Sequence, residues 1–322
     1  MRYVTHGTGH RPSLSRRCNS SLTAVTDEQL AVLGNWIESA GKRELTSRDT
    51  LRPEHLSDLY ITLPTRDTAG ETPSGQLCAD GERLGYGHHL VFFHPRNPER
   101  ALRADGSDPA FCPPQPWNRR MWAGGQMVWH EPGLHVGDNV VASSTIDSVE
   151  MKGLERGSPM VLVKQKIQYR KEHAHQPAIV EECSHVFLSD PGNKRVVRKV
   201  DGIPPDPDYR LEYLPSPTTL FRFSALTFNA HAIHLDREYA RREGYSERLV
   251  HGPLTALMLL EAFSVHSHSR PIKEFAYRAL NPLLVNRHVA VCGKEDKGRG
   301  IVRVWAEDVE TKAVVMAGQI DL

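Results

Sequence analysis

The sequence predicts an α+β chain made of two similar units, each an antiparallel sheet curled around helical material. Three observations carry that prediction. A run after His251-Gly252-Pro253, comprising Leu254, Ala256, Leu257, Met258, Leu259, Leu260 and Phe263, is apolar on nearly every face. A helix of that kind must be enclosed by protein or lipid, and this one is too short to span a bilayer. Three β-rich segments of similar length (139–149, 160–169 and 178–188) precede it, and three more (288–293, 300–307 and 313–321) follow. Their connectors, such as KGLERGSP and KEDKGR, carry turn residues. With 322 residues, 39% hydrophobic and 25% charged, the chain is large enough for two cores of about 100 to 150 residues each.

Residues 1–25 hold Arg2, Arg11, Arg16 and Arg17 with several Ser and Thr, and no acid occurs before Asp27. That is the composition of a mitochondrial transit peptide or of a disordered tail. From Thr26 a helix opens, with Leu30, Val32, Leu33, Trp36 and Ile37 on its apolar side and Gly41 near its end. A second helix follows Pro53. Residues 64–87 turn polar and rich in Gly, Pro and Thr, as a loop does, and Leu90–Phe93 is predicted as a strand. A proline-rich stretch then leads to Arg119-Arg120-Met121-Trp122-Ala123-Gly124-Gly125. The double glycine suggests close backbone packing there. The arginine pair suits either a structural role at an interface or the phosphates of a coenzyme A arm.

The first strand set completes a unit over 26–189, and the proline-rich, charged 190–217 is predicted as a linker. The second unit, 218–322, contains the most reactive stretch of the chain, Leu220–Phe263. Asn229, His231 and His234 fall in a loop-like segment, and Asp236 suits the N-cap of a short helix ending at Arg242, with Gly244 beyond it. Pro253 occupies the first turn of the apolar helix, where its missing N–H costs nothing. The first-turn N–H groups, that of Gly252 among them, have no intrahelical acceptor and sit at the positive end of the helix dipole. They suit a carbonyl oxygen that gains negative charge.

The formal net charge of +1, without a long Lys/Arg run, argues against nucleic-acid binding. Cys18, Cys78, Cys112, Cys183 and Cys292 are odd in number and form no CxxC pair, so neither a disulfide framework nor a zinc site is predicted. The 17 histidines include no HExxH motif, and no metal is expected. No GxGxxG or Walker motif appears, so no cofactor is expected.

The run Phe223–Leu254 resembles the hydratase motif of the MaoC-like family, within the hot-dog superfamily. The likeness is strongest to the mitochondrial type 2 hydroxyacyl-thioester dehydratases and mesaconyl-CoA hydratase-like proteins. FRFSALTFNAHAIHLD and LVHGPL carry it, together with GHHLVFF (Gly87–Phe93), DGSDP (Asp105–Pro109) and RRMWAGG upstream. The resemblance covers roughly residues 49–322 and implies a double hot-dog whose second unit carries the site. It implies a carbon–oxygen lyase that interconverts 3-hydroxyacyl and 2-enoyl thioesters of coenzyme A or acyl carrier protein, and it allows a homodimer. The family His falls on His234 and the family Asp on Asn229. An Asn cannot accept a proton, which leaves the second proton-handling group among His231, Asp236 and His251.

Gly252 is then the oxyanion donor, and Arg119, Arg120, Phe228 and Pro253 are candidate substrate contacts. Two other readings stay open. One is a specialised branched-diacid or polyketide thioester hydratase. The other is an acyl-thioester-binding module that lost catalysis at Asn229. The resemblance and the basic amino-terminal composition favour mitochondria over the cytoplasm.

Overall fold

A computed structural model describes residues 25–66, 78–189 and 197–322. The transit-peptide prediction, the central part of the 64–87 loop and the start of the 190–217 linker lie outside the described residues. Helix α1 (Asp27–Ala40) begins with a capping box in which Thr26 accepts the Gln29 N–H and the Gln29 side chain accepts the Thr26 N–H. After β1 (Glu44–Thr50) comes α2 (Pro53–Tyr60), with Pro53 in its first turn. The remaining strands of this half are β2 (Arg119–Trp129), β3 (Asn139–Lys152), β4 (Met160–Lys171) and β5 (Ile179–Leu188).

The second half runs β6 (Tyr209–Tyr213), α3 (Pro217–Leu226), α4 (Ala232–Leu235), α5 (Arg237–Arg242) and α6 (Gly252–His266). It closes with β7 (Glu274–Ala279), β8 (Val289–Asp296), β9 (Ile301–Asp308) and β10 (Val314–Asp321). The six predicted strands are present nearly to the residue. Four others were not anticipated: β1, β2, β6 and β7. Their sequences, ELTSRDT, RRMWAGGQMVW, YRLEY and EFAYRA, lack sustained apolar alternation or carry glycines and helix-forming residues. Strand β6 and the start of α3 also occupy part of the predicted linker. Leu90–Phe93 is not a strand, because His88–Val91 forms a tight 3-10 turn entered through Gly87 at φ 81°.

All strands pair antiparallel in one ten-stranded sheet of order β1-β3-β4-β5-β2-β7-β10-β9-β8-β6. The two halves meet where β2 pairs with β7, and there the double glycine matters. Gly124 sits at φ 150°, and a Cβ on it would stand 2.4 Å from the Tyr277 carbonyl oxygen. A side chain would therefore force the two halves apart.

Helix α6 is buried at every position from Leu254 to Phe263 and packs against β8 and β9. Each fully buried Leu there contributes roughly 1.5–3 kcal/mol relative to exposure. The carboxylate it buries, Glu261, is met by His88 Nε2 at 2.7 Å and by the Thr65 hydroxyl at 3.0 Å. Among the described residues, no helix is long and apolar enough to cross a membrane. The first half has no counterpart of α6 among its described residues. Helix α1 covers one end of its sheet through Leu33, Trp117, Val161, Val163 and Phe187, and a cavity takes up the space beside it.

Candidate active site

The cavity has a volume of about 650 Å³ and lies between the two halves. One wall comes from the strands of the first half, with Arg120, Trp122, Ile167, Tyr169, Glu181 and His185. The facing wall comes from the second half, with Phe223, Ser224, Phe228, Asn229, His251 and Pro253. Apolar surface with a few convergent polar groups is the usual make-up of a small-molecule site.

Asn229 is set by the end of α3. The chain turns through Phe228 at φ 47°, the Asn229 N–H donates to the Ser224 carbonyl at 2.8 Å, and Asn229 Oδ1 accepts the His231 N–H at 3.0 Å. The amide nitrogen Nδ2 is left without a protein acceptor among the described residues and is free to donate. Phe228 is 67% exposed at the cavity rim.

His234 stands in α4, not in a loop as its sequence context suggested. The one-turn helix forms because the His234 N–H donates to the His231 carbonyl and the Asp236 N–H to that of Ala232. Its Nδ1–H donates to the Leu249 carbonyl at 2.8 Å, which leaves Nε2 as the unprotonated nitrogen. The ring stacks on His251 with centroids 3.7 Å apart and lies 5.6 Å from the His231 ring. Burial, followed by the neighbouring His251 and His231, pushes His234 well below the usual histidine range. His234 abuts the cavity through His251, which lines it.

His251 is the N-cap residue of α6 and is hydrogen-bonded through Nε2 to the Ser224 hydroxyl at 2.9 Å. Desolvation lowers it to about 3, and the same cause lowers His231 to about 4. Thus α4 and the tip of α6 hold three neutral imidazoles side by side. Gly252, beside His251, is packed under Trp122, since a Cβ there would come within 2.9 Å of the indole. The Thr255 N–H is the first to bond back, to the His251 carbonyl at 3.1 Å. The N–H groups before it remain directed out of the helix.

Asp236 is not part of this group. It is exposed and caps α5, its Oδ1 accepting the N–H groups of Glu238 and Tyr239 at 2.8 and 3.0 Å, and those bonds hold it below the usual carboxylate range. The carboxylate that does reach the histidines is Asp105, 3.6 Å from His231 Nε2. Burial raises Asp105, but the Ser107 hydroxyl and N–H, His231 and Arg103 outweigh it and hold the group low. Gly106 permits the approach, because a Cβ there would lie 2.2 Å from the Ala230 carbonyl oxygen. The only trace of Asp105 in the sequence was the DGSDP motif, which has no periodicity to mark it as part of a site.

The two arginines on β2 diverge. Arg119 forms an ion pair with Glu243 and also donates to the Glu243 carbonyl, with 8% of its side chain exposed. Arg120 lines the cavity.

The profile of the family described as hydroxyacyl-thioester dehydratase type 2 matches residues 87–285, more than half of the chain. The chain belongs to the hydroxyacyl-thioester dehydratase type 2 family. It is 38% identical over 217 residues to mesaconyl-C(4)-CoA hydratase of Chloroflexus aurantiacus, covering 66% of this chain and 75% of the relative. It is 27% identical to the mitochondrial hydroxyacyl-thioester dehydratase type 2 of Schizosaccharomyces pombe, covering 85% of this chain and 97% of the relative.

Among solved structures, a MaoC-like dehydratase from Phytophthora capsici superposes with TM-score 0.60 at 16% identity, over 88% of this chain and 97% of that one. HtdX of Mycobacterium tuberculosis does so with TM-score 0.59 at 14% identity, over 87% and 99%. At these identities the structural likeness speaks to the fold, and it supports the α+β double hot-dog. The family places the chain among the hydratases and dehydratases, which are carbon–oxygen lyases.

Proposed function

We propose that the chain hydrates 2-enoyl thioesters and dehydrates 3-hydroxyacyl thioesters, with His234 as the acid–base group. The observation that carries this reading is the state of His234. Desolvation and the neighbouring His251 and His231 keep it neutral, and the Leu249 carbonyl fixes the proton on Nδ1, with Nε2 unbonded among the described residues, next to the tip of a helix whose first N–H groups point outward. In dehydration, Nε2 takes the α-proton, which the thioester carbonyl has made acidic. The carbonyl oxygen gains charge and is held by the N–H of Gly252 or of Leu254, where the α6 dipole is positive. The imidazolium then returns its proton to the departing β-hydroxyl, which Asn229 Nδ2 orients. Hydration runs the same steps in reverse.

Because Asn229 cannot move a proton, one imidazole serves both transfers unless a second group takes part. His231 is the candidate supported by a carboxylate, Asp105, at 3.6 Å. The carrier is coenzyme A or an acyl carrier protein, and the relative named as a mesaconyl-C(4)-CoA hydratase supports the former. The basic, hydroxyl-rich residues 1–25 and the relatives named as mitochondrial support a mitochondrial location.

The test is loss of enoyl absorbance with crotonyl-CoA. His234→Ala should lower kcat by about 10³-fold or more while the circular dichroism spectrum is retained. A folded His234→Ala protein with undiminished turnover would remove His234 from the mechanism. Binding of thioesters by the unaltered protein without any turnover would favour the binding-module reading.

A further inference from the structure

Strand β5 turns Glu181, Cys183, His185 and Phe187 to its buried face, and the first three line the cavity. Two of them are occupied within the wall. Glu181 accepts the Tyr169 hydroxyl at 2.7 Å, and the Cys183 thiol donates to Gln165 Oε1 at 3.3 Å. The His185 imidazole is different. It is 8% exposed, and neither ring nitrogen has a hydrogen-bond partner among the described residues. A buried N–H without an acceptor carries a desolvation cost that nothing offsets. The space it faces is the cavity, so a bound molecule there is what supplies the acceptor.

Register decides which part of that molecule it meets. His185 pairs with Trp122 across β5 and β2, and the two rings meet edge to face at 5.0 Å and 87°. The same indole covers Gly252, where a Cβ would come within 2.9 Å of it, and the indole N–H is fixed by the Tyr277 hydroxyl at 3.1 Å. His185 and the tip of α6 are therefore neighbours through one immobilised ring. His234 reaches the same tip from the other side, through its stack on His251, the residue before Gly252.

We propose that His185 is a second donor to the thioester carbonyl oxygen, acting together with the backbone N–H groups at the start of α6. This rests on the thioester-site reading above and adds to it a catalytic residue from the first half of the molecule. With the oxygen on the His185 side of the tip, the carbons that exchange protons lie towards His234. Arg120, on the same wall and without a carboxylate partner among the described residues, opposes a positive charge on the ring; burial and then that guanidinium lower His185 to about 3. The ring therefore stays neutral and keeps one N–H to give, and a neutral imidazole can polarise a carbonyl without placing another cation in the wall.

The experiment removes the donor and keeps the packing. In crotonyl-CoA hydration, His185→Phe and His185→Leu should each lower kcat by about a hundredfold with KM changed by no more than about threefold, as for the loss of one oxyanion donor. His185→Gln still offers an N–H and should hold kcat within about tenfold of the unaltered protein. A second readout needs no turnover. The absorption of bound dimethylaminocinnamoyl-CoA moves to longer wavelength when its carbonyl is polarised. That red shift should shrink in His185→Phe and His185→Leu, and persist in His185→Gln and His234→Ala.

A folded His185→Phe or His185→Leu protein with kcat within about threefold of the unaltered one would overturn the proposal. So would a loss of kcat that leaves the red shift whole, since that pattern assigns the ring to another step or to the fold alone. If the unaltered protein turns over crotonyl-CoA without shifting the bound probe, the hydratase reading stands and the second donor fails. If the shift and its dependence on His185 are seen while no thioester is turned over, the hydratase reading fails and the carbonyl-binding site stands.

Discussion

The two halves of the molecule share a five-strand contribution to one sheet and differ in what fills the concave face. In the second half it is α6, buried without interruption from Leu254 to Phe263. In the first half α1 covers only one end, and the middle of the face, at Ile167, Tyr169, Glu181 and His185, looks into the cavity. The same architecture thus serves two purposes. A filled half holds the helix tip and the imidazoles rigid, and an unfilled half leaves room for an acyl group. Rigid placement matters because a positioned proton donor or acceptor loses effect steeply when it shifts.

The sharpest way to break this contrast is to shorten one side chain in each half. Leu257→Ala should cost about 2–5 kcal/mol, because the core around α6 cannot collapse into the space left behind. Ile167→Ala, at a wall that already faces open volume, should cost less than about 1.5 kcal/mol. Urea unfolding of both variants measures the difference, and equal losses would mean that the first half is packed as tightly as the second.

The next effect concerns the loop between α3 and α4, by which the second half reaches the cavity. Asn229→Ala should lower kcat for crotonyl-CoA hydration by about ten- to a thousandfold through lost orientation, with little change in stability. Asn229→Asp offers a carboxylate at the same place, and its pH–rate profile should gain an acidic limb if that group joins in proton transfer.

The smallest effect is on stability against pH. His251 at about 3 and His231 at about 4 belong to the second half, and His185 at about 3 belongs to the first. All three are lowered in the fold, so below about pH 6.5 the unfolded chain binds protons that the folded chain does not. Stability is therefore complete above about pH 6.5 and falls as the pH moves towards the folded values. Each such histidine accounts for roughly 1 kcal/mol over the first unit below 6.5. His251→Gln and His185→Gln should each flatten the acid limb of a denaturant–pH series. A limb unchanged by His185→Gln would show that the cavity wall is wetter than the helix tip.

How far the chain could be read before folding depended on whether a residue's partners were local. The buried helix after Pro253, the Thr26 and Asp236 caps and six of the ten strands were legible, because turn chemistry, capping and hydrophobic periodicity act over a few residues. The double glycine also announced a close backbone approach, although not that Tyr277 lay across it. Asp105 and Arg120 had no such local mark. Asp105 acquires its role only when Gly106 lets its loop lie against Ala230, and Arg120 differs from Arg119 only because Glu243 arrives beside one of them. Charge pairing and cavity shape are set by residues more than a hundred positions apart in sequence, as Arg119 and Glu243 are. Sequence alone therefore determined the elements whose signals are local and the reactive groups, whereas tertiary packing paired the remaining strands and decided which group was left unpaired at the cavity.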